Sequence, residues 1–374
     1  MSRIFRADHC GSLIRPDSVR RARVAKLRGE IDEAELHRIE DEAILGALEL
    51  QRKAGLGIYT DGEFRRRFWF SGLEESLEGI VEGGTLRPIE RGDGKANPEL
   101  AIPNPVVVEK LRRRPDTIIA REIAFLKKHS PGPFKVTVPA QGSIAMLGTW
   151  FKEGVTDKVY PSREELTDTL IGFLEDDVRT AADAGVPYIQ IDNPRYAAYI
   201  GGAGVPPPAG APPIEDVIAW DNRLLRAARR PGVTVGLHIC LGTYVGSGAT
   251  TLNRIIPYDP AMVARIFSEL EADVLTVEYS ERSGTLESLK LLSGLGKKVI
   301  ALGMVNVLSP QVEPAEELVR KLEQAAKYVP LDNLAICNNC GFAGTAADAF
   351  LNEDRQLKKL QRMVEVSKTV WKGR

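Results

Sequence analysis

What this 374-residue sequence has little of is informative. It contains four cysteines and four histidines. That is too few for a disulfide framework, so a compartment that keeps thiols reduced, the cytoplasm, is expected. No run of about eighteen continuous apolar residues occurs, which argues against a membrane-spanning helix. The opening "MSRIFRADHCGS" lacks the apolar centre of a secretory leader. Neither sign of charge is in excess: 50 Lys and Arg against 51 Asp and Glu leave a formal net charge of −1. Nucleic acid and anionic membrane surfaces are therefore poor partners. The Arg-rich stretches "FRRRF" (64–68) and "KLRRRP" (110–115) read as solvated faces or anion contacts.

What is present is the composition of a soluble globular enzyme, 43% apolar and 27% charged. Apolar, β-rich runs at 4–9, 58–63, 134–139, 188–192, 235–240, 274–279, 299–305 and 334–340 alternate with amphipathic stretches. The latter fall at 31–54, 115–128, 162–185, 214–229, 258–271, 284–294, 313–327 and 344–371. In the first of them Ala43, Ile44, Ala47 and Leu48 recur at three- and four-residue steps, and Gly55 is the expected C-cap. Strands that read as near-continuous Val/Ile/Leu runs suit a parallel sheet covered on both faces. Eight strand–helix units predict an α/β chain folded as one (β/α)₈ barrel over 1–374, with a doubly wound open sheet as the competing architecture. Two segments interrupt the alternation, a hairpin or excursion at 72–104 and the Gly/Pro-rich "GGAGVPPPAGAPP" at 201–213. The latter lacks the Lys-Ser/Thr ending of a phosphate loop.

In such a barrel the active site lies at the C-terminal ends of the strands. Those ends collect His9 and Cys10 with Gly11 and Ser12, then Asp61 and Glu63, Asp192, His238 and Cys240, Glu278, Asn306, and Cys337 with Cys340. Residues two apart on a strand share a face, so "VGLHIC" (235–240) can aim both His238 and Cys240 at the barrel mouth. Taken alone, that hexapeptide also reads as a buried strand end. With Glu278 and Cys340 it makes one imidazole, two thiolates and a carboxylate, a donor set that suits Zn²⁺. Cys340, next to Gly341 in the loop, is preferred to Cys337, and Cys10 is an alternative ligand. "CNNC" (337–340) ends a strand rather than opening a helix, which disfavours a redox pair.

The ordered set "HCGSLIRP", "YTDGEFRR", "YIQIDNP", "LHIC", "TVEYSERSG" and "NNCGFAG" resembles the catalytic barrel of cobalamin-independent methionine synthase, and more closely its short single-barrel relatives. The resemblance covers essentially the whole chain. It implies a catalytic zinc held by His238, Cys240, Glu278 and Cys340. It also implies a homocysteine-like thiol whose amino-acid end lies near Gly11, Ser12, Glu63 and Asp192. A free thiol has a pKa near 8.5, and coordination to zinc makes it a thiolate that can attack an alkyl carbon. The bland alternative for Glu63 and Asp192 is capping of helix N-termini or pairing with Arg65, Arg66 or Arg195.

The chain also departs from that family. Leu308 in "GMVNVLSP" stands where a proton-delivering His would align, and "VPAQGSIAML" (138–147) carries no aromatic. A tertiary-amine leaving group needs protonation. The methyl donor is then expected to be one that needs no acid, such as a methylcobamide-carrying protein or a sulfonium. The competing reading is an epoxyalkane:coenzyme M transferase-like enzyme that opens an epoxide. Leu241 and Thr243, where the short relatives often have Arg and Asn, leave room for it. Arg195 or Arg15 would then hold a sulfonate, and Tyr196, Tyr279 or His9 would supply the acid. A metal-free, uroporphyrinogen decarboxylase-like barrel is disfavoured by the His-x-Cys and the late Cys.

Overall fold

The structure, a computed structural model, describes residues 5–67, 71–90, 96–140, 150–200, 211–239, 259–279, 285–291, 296–343 and 351–372. Two helices come first, α1 (Asp17–Leu27) and α2 (Glu33–Ala54). The second starts where the Asp32 side chain accepts from Glu35 N and stops at Gly55, whose φ of 79° makes it a left-handed cap. Helix α1 was not expected. Its sequence "DSVRRARVAKL" buries only Val19, Ala22 and Arg23, so three arginines mask the apolar stripe. The excursion is an antiparallel hairpin of β1 (Leu77–Glu90) and β2 (Ala96–Arg113), longer than the expected 72–104.

From there strand and helix alternate: α3 (Ile118–His129), β3 (Lys135–Pro139), α4 (Arg163–Asp183), β4 (Tyr188–Asp192), α5 (Ile214–Ala227), β5 (Thr234–Ile239), α6 (Pro260–Glu269) and β6 (Val274–Glu278). The chain continues with α7 (Thr285–Leu291), β7 (Val299–Val305), α8 (Ala315–Ala325), β8 (Leu334–Asn338) and α9 (Glu353–Val370). Thr117, Ser162, Asp259 and Asn352 cap helix N-termini with their side chains. Strands β3 to β8 form a six-stranded parallel sheet in sequence order, each beside its predecessor. That order is the outcome of repeated short crossovers through helices.

Among the described residues, the two earliest expected strands are not full strands; each contributes one parallel bridge. Ala7 pairs with Ile336 of β8 and Tyr59 with Phe134 beside β3, so the two segments flank opposite edges of the sheet. They also touch one another. Leu13 N donates to Gly62 O at 3.1 Å, and His9 Nε2 lies 3.2 Å from Thr60 Oγ1.

The apolar core divides by strand alternation. The larger cluster joins one face of the strands to the helices and includes Val136, Ile189, Val235, Leu237, Leu275 and Ile336. A smaller cluster collects the alternate residues Tyr188, Val274, Val299, Ala301, Ala335 and Cys337 with Ile58. The second face therefore runs from an apolar floor at the strand N-termini to polar residues at their C-terminal ends. No described helix is long and apolar enough to cross a membrane.

Candidate metal and substrate site

Strand register organises the polar end of that face. Asp192 of β4 lies beside His238 of β5, and His238 beside Thr276 of β6. Glu278, two residues past Thr276, shares its face, and Cys340 follows β8 by two residues. Cys240 lies outside the described residues, as do Leu241, Thr243, 201–210 of the Gly/Pro-rich segment and 141–147. Among the described residues no three His, Cys, Asp or Glu side chains form a group able to hold a metal. His238, Glu278 and Cys340, the described members of the expected ligand set, are therefore not drawn into a metal-holding group by themselves.

His238 nevertheless has the bonding of a ligand in waiting. Its Nδ1 lies 3.2 Å from Asp192 Oδ1, whereas its Nε2 is buried with no hydrogen-bond partner. A buried ring nitrogen without a partner is costly unless something outside the protein satisfies it. Burial lowers the pKa of His238, but the Cys10 thiol and Asp192 outweigh it and hold it well above the ordinary imidazole value. Surroundings that favour a proton on this ring favour a metal cation for the same electrostatic reason. A carboxylate on the second nitrogen is also the usual support of a metal-binding histidine. His238 therefore fits a zinc ligand.

The cysteines separate by depth. Cys337 is fully buried with its Sγ 3.5 Å from Ala301 O, and burial pushes its thiol well above the ordinary value. Cys340 lies beyond the strand end, where Asn338 Nδ2 donates to its carbonyl at 2.5 Å. The same Asn338 accepts from Cys10 N at 3.0 Å and donates to Cys10 O at 2.9 Å. One side chain so ties "HCGS" to "NNCG". Contact there is tight, because a Cβ on Gly11 would come within 2.7 Å of Gly341 Cα. Ser12 Oγ donates to Ala343 O.

The "DGEF" turn supplies the next group. Gly62 and Glu63 both have positive φ, 72° and 59°, and a left-handed glutamate marks strain held in place by its surroundings. Arg15, expected as a possible anion clamp, instead donates to the carbonyls of Arg66, Ala343 and Glu63. It stitches this turn to the "CGFA" turn. Glu63 Oε1 accepts from Thr137 Oγ1 at 3.0 Å, while Oε2 is buried and unpartnered. Burial raises its pKa to about 7, with Asp192 adding to the rise and Arg66 opposing it.

Two of the three arginines suggested as partners are engaged elsewhere. Arg66 pairs with Glu122 at 3.0 Å, and Arg65 lies 2.5 Å from Asp41. Asp192 bonds to Gln190 and His238. Arg195, in the turn Pro194–Ala198, has a buried, unpartnered Nε, and burial lowers its pKa. Of the candidate acids, Tyr196 donates its hydroxyl proton to Asp221 at 2.8 Å. Burial and Lys135 hold the His9 pKa well below the ordinary value. Asn306 is exposed and accepts from Leu308 N at the turn after β7. Sequence reasoning missed Lys135, Gln190 and Asn338, which bond directly to site residues or their supports. The signal was their period-two spacing with Thr137, Asp192 and Cys340.

Comparison with known proteins follows the same lines. The profile of the family described as "Cobalamin-independent synthase, Catalytic domain" matches residues 7–369. An uncharacterized protein of Bacillus subtilis (strain 168), YxjH, is 28% identical over 374 residues, covering 98% of this chain and 95% of its own. A methionine synthase of Pyrococcus abyssi is 25% identical, covering 94% of this chain and 88% of its own. Among solved structures, a B12-independent methionine synthase from Shewanella sp. W3-18-1, in complex with selenomethionine, shares the fold. Its TM-score is 0.71 at 21% identity, with 98% of each chain covered. The chain belongs to the family of the cobalamin-independent synthase catalytic domain.

Proposed function

We propose that the protein transfers a methyl group to the thiol of a homocysteine-like amino acid, using a zinc ion held by His238, Cys240, Glu278 and Cys340. The observation that carries this reading is the buried, unpartnered His238 Nε2 with Asp192 behind its other nitrogen. Zinc bound there supplies the positive charge that lowers a thiol's pKa into the neutral range. The chain's own residues bind and orient the rest of the substrate. Glu63 Oε2, buried without a partner, is suited to an ammonium group, which would also draw its raised pKa back down. Arg195, with its unpartnered Nε, suits the α-carboxylate. Gly11 and Ser12 wall the site beside Cys340. The selenomethionine bound to the Shewanella relative supports a substrate of this class.

Leu308 is half-buried and packs on the core, so the stretch after β7 offers no imidazole at that position. Donors whose leaving group departs unprotonated, a sulfonium or a methylcobamide, suit the chain best. No observation favours epoxide opening, since the Tyr196 hydroxyl is turned to Asp221. We also read the six-stranded sheet and its two flanking bridges as a closed eight-stranded ring. Metal analysis tests the proposal. Wild type is expected to carry about one zinc per chain and Cys240→Ser to lose it. A metal-free wild type, or a variant that keeps its zinc, refutes it. A thiol panel of homocysteine, coenzyme M and glutathione then reads the acceptor.

A further inference from the structure

We infer that Gln190 is a positioning residue that selects which nitrogen of His238 faces the metal, acting through Asp192 and anchored on Lys135. The inference rests on the zinc reading above and deepens it. Four side chains from three adjacent strands form one hydrogen-bonded line, and all four are buried. Lys135 Nζ donates to Asp8 Oδ1 at 2.7 Å, His9 O at 2.5 Å and Gln190 Oε1 at 2.8 Å. Gln190 Nε2 donates to Asp192 Oδ1 at 2.8 Å, and His238 Nδ1 lies 3.2 Å from the same oxygen.

Direction along this line follows from chemistry alone. An ammonium has three donors and no acceptor; here all three are used. The Gln190 atom facing it must be the amide oxygen, so the amide nitrogen points to Asp192. Asp192 Oδ1 already accepts from Gln190 Nε2, so His238 must present Nδ1–H to that same oxygen. Nε2 is then the nitrogen turned to the site, buried and unpartnered, and the one that would give up its proton and offer a lone pair to a metal. The Lys135–Asp8 pair, among the most deeply buried ion pairs described here, fixes the first link. Which nitrogen of His238 a metal would meet is thus set from the barrel interior before any metal arrives. Removing the Gln190 donor frees Asp192 Oδ1 to rotate and costs the ring its orientation. Losses of about 10- to 100-fold in metal affinity are usual for partners of this kind.

Zinc affinity measured by chelator competition tests this on wild type, Gln190→Met, Gln190→Glu, Asp192→Asn and the Gln190→Met/Asp192→Asn double variant. Gln190→Met is expected to weaken zinc by about 10- to 100-fold. The double variant should be no weaker than Asp192→Asn alone, because Gln190 acts only through Asp192. Gln190→Glu keeps an acceptor for Lys135, and with it the anchor, but loses the donor. It should weaken zinc as Gln190→Met does, and it serves if the apolar variant fails to fold. A variant within about twofold of wild type overturns the inference, as do losses that multiply in the double variant, the mark of a merely structural role. A wild type that binds no zinc overturns the proposed function as well; tight zinc in wild type and Gln190→Met alike overturns this inference alone.

Discussion

Asp221 offers a test of how the turn carrying Arg195 is held. It sits on α5 with no exposed surface. Its Oδ2 accepts from Asn193 Nδ2 at 2.7 Å and from the Tyr196 hydroxyl at 2.8 Å, while Oδ1 is buried without a partner. Those two donors flank Arg195. Burial raises the Asp221 pKa from 3.8 to about 7, against the opposing pull of both hydrogen bonds. A carboxyl whose folded pKa lies above its unfolded one binds its proton more tightly in the folded state. Its contribution is complete below the unfolded pKa and is lost as pH rises through the folded value. From pH 5 to pH 8 the loss spans about two pKa units at 1.36 kcal/mol each, or about 3 kcal/mol. Asp221→Asn removes it, since the amide oxygen keeps both bonds and the amide nitrogen replaces the unpartnered Oδ1. Urea unfolding of both proteins at pH 5 and pH 8 measures the effect. Other buried carboxyls, such as Glu122 with its pKa near 8, cancel in the difference between the two chains. That difference should move by about 3 kcal/mol toward the variant between pH 5 and pH 8. If it stays constant within about 1 kcal/mol, Asp221 does not titrate as argued.

Two further substitutions probe the sheet interior. A Cβ on Gly303 would meet Asn339 Cα at 2.7 Å and Val277 O at 3.0 Å, both backbone. Gly303→Ala should therefore destabilise the protein by about 3 kcal/mol, near the upper end for overpacking, as a lowered thermal midpoint; an unchanged midpoint would show that the two strands part easily. Lys135→Met strips the donor from Asp8, His9 O and Gln190 at once. Breaking a buried pair this way costs about 3–5 kcal/mol in urea unfolding, and a loss under about 1 kcal/mol would show that Asp8 finds another partner.

Much of the strand pattern was legible because it is local. Runs expected at 188–192 and 299–305 match β4 and β7 end to end, since an apolar run bounded by Gly and Pro needs no distant information. Helix α1 was hidden by its arginines. One of them, Arg23, is buried against Glu40, and nothing local reveals that pairing. Gln190 and Lys135 read as ordinary polar alternation until the sheet places Lys135 against Gln190, and Gln190 against Asp192.

By itself the sequence determined the β/α order, and with it that His238, Glu278 and Cys340 come at strand ends on one side of the sheet. Period-two alternation and short crossovers require this wherever the strands pair in order. Only the tertiary structure decided which charges are matched and which are left over. Arg66 could have served Glu63, yet it pairs with Glu122, 56 residues away, and leaves Glu63 Oε2 unpartnered. Asp8 meets Lys135 across 127 residues, and that contact starts the line ending at His238. Hydrogen-bond partners so far apart in the chain are chosen by packing geometry and desolvation, and a linear pattern holds no record of either.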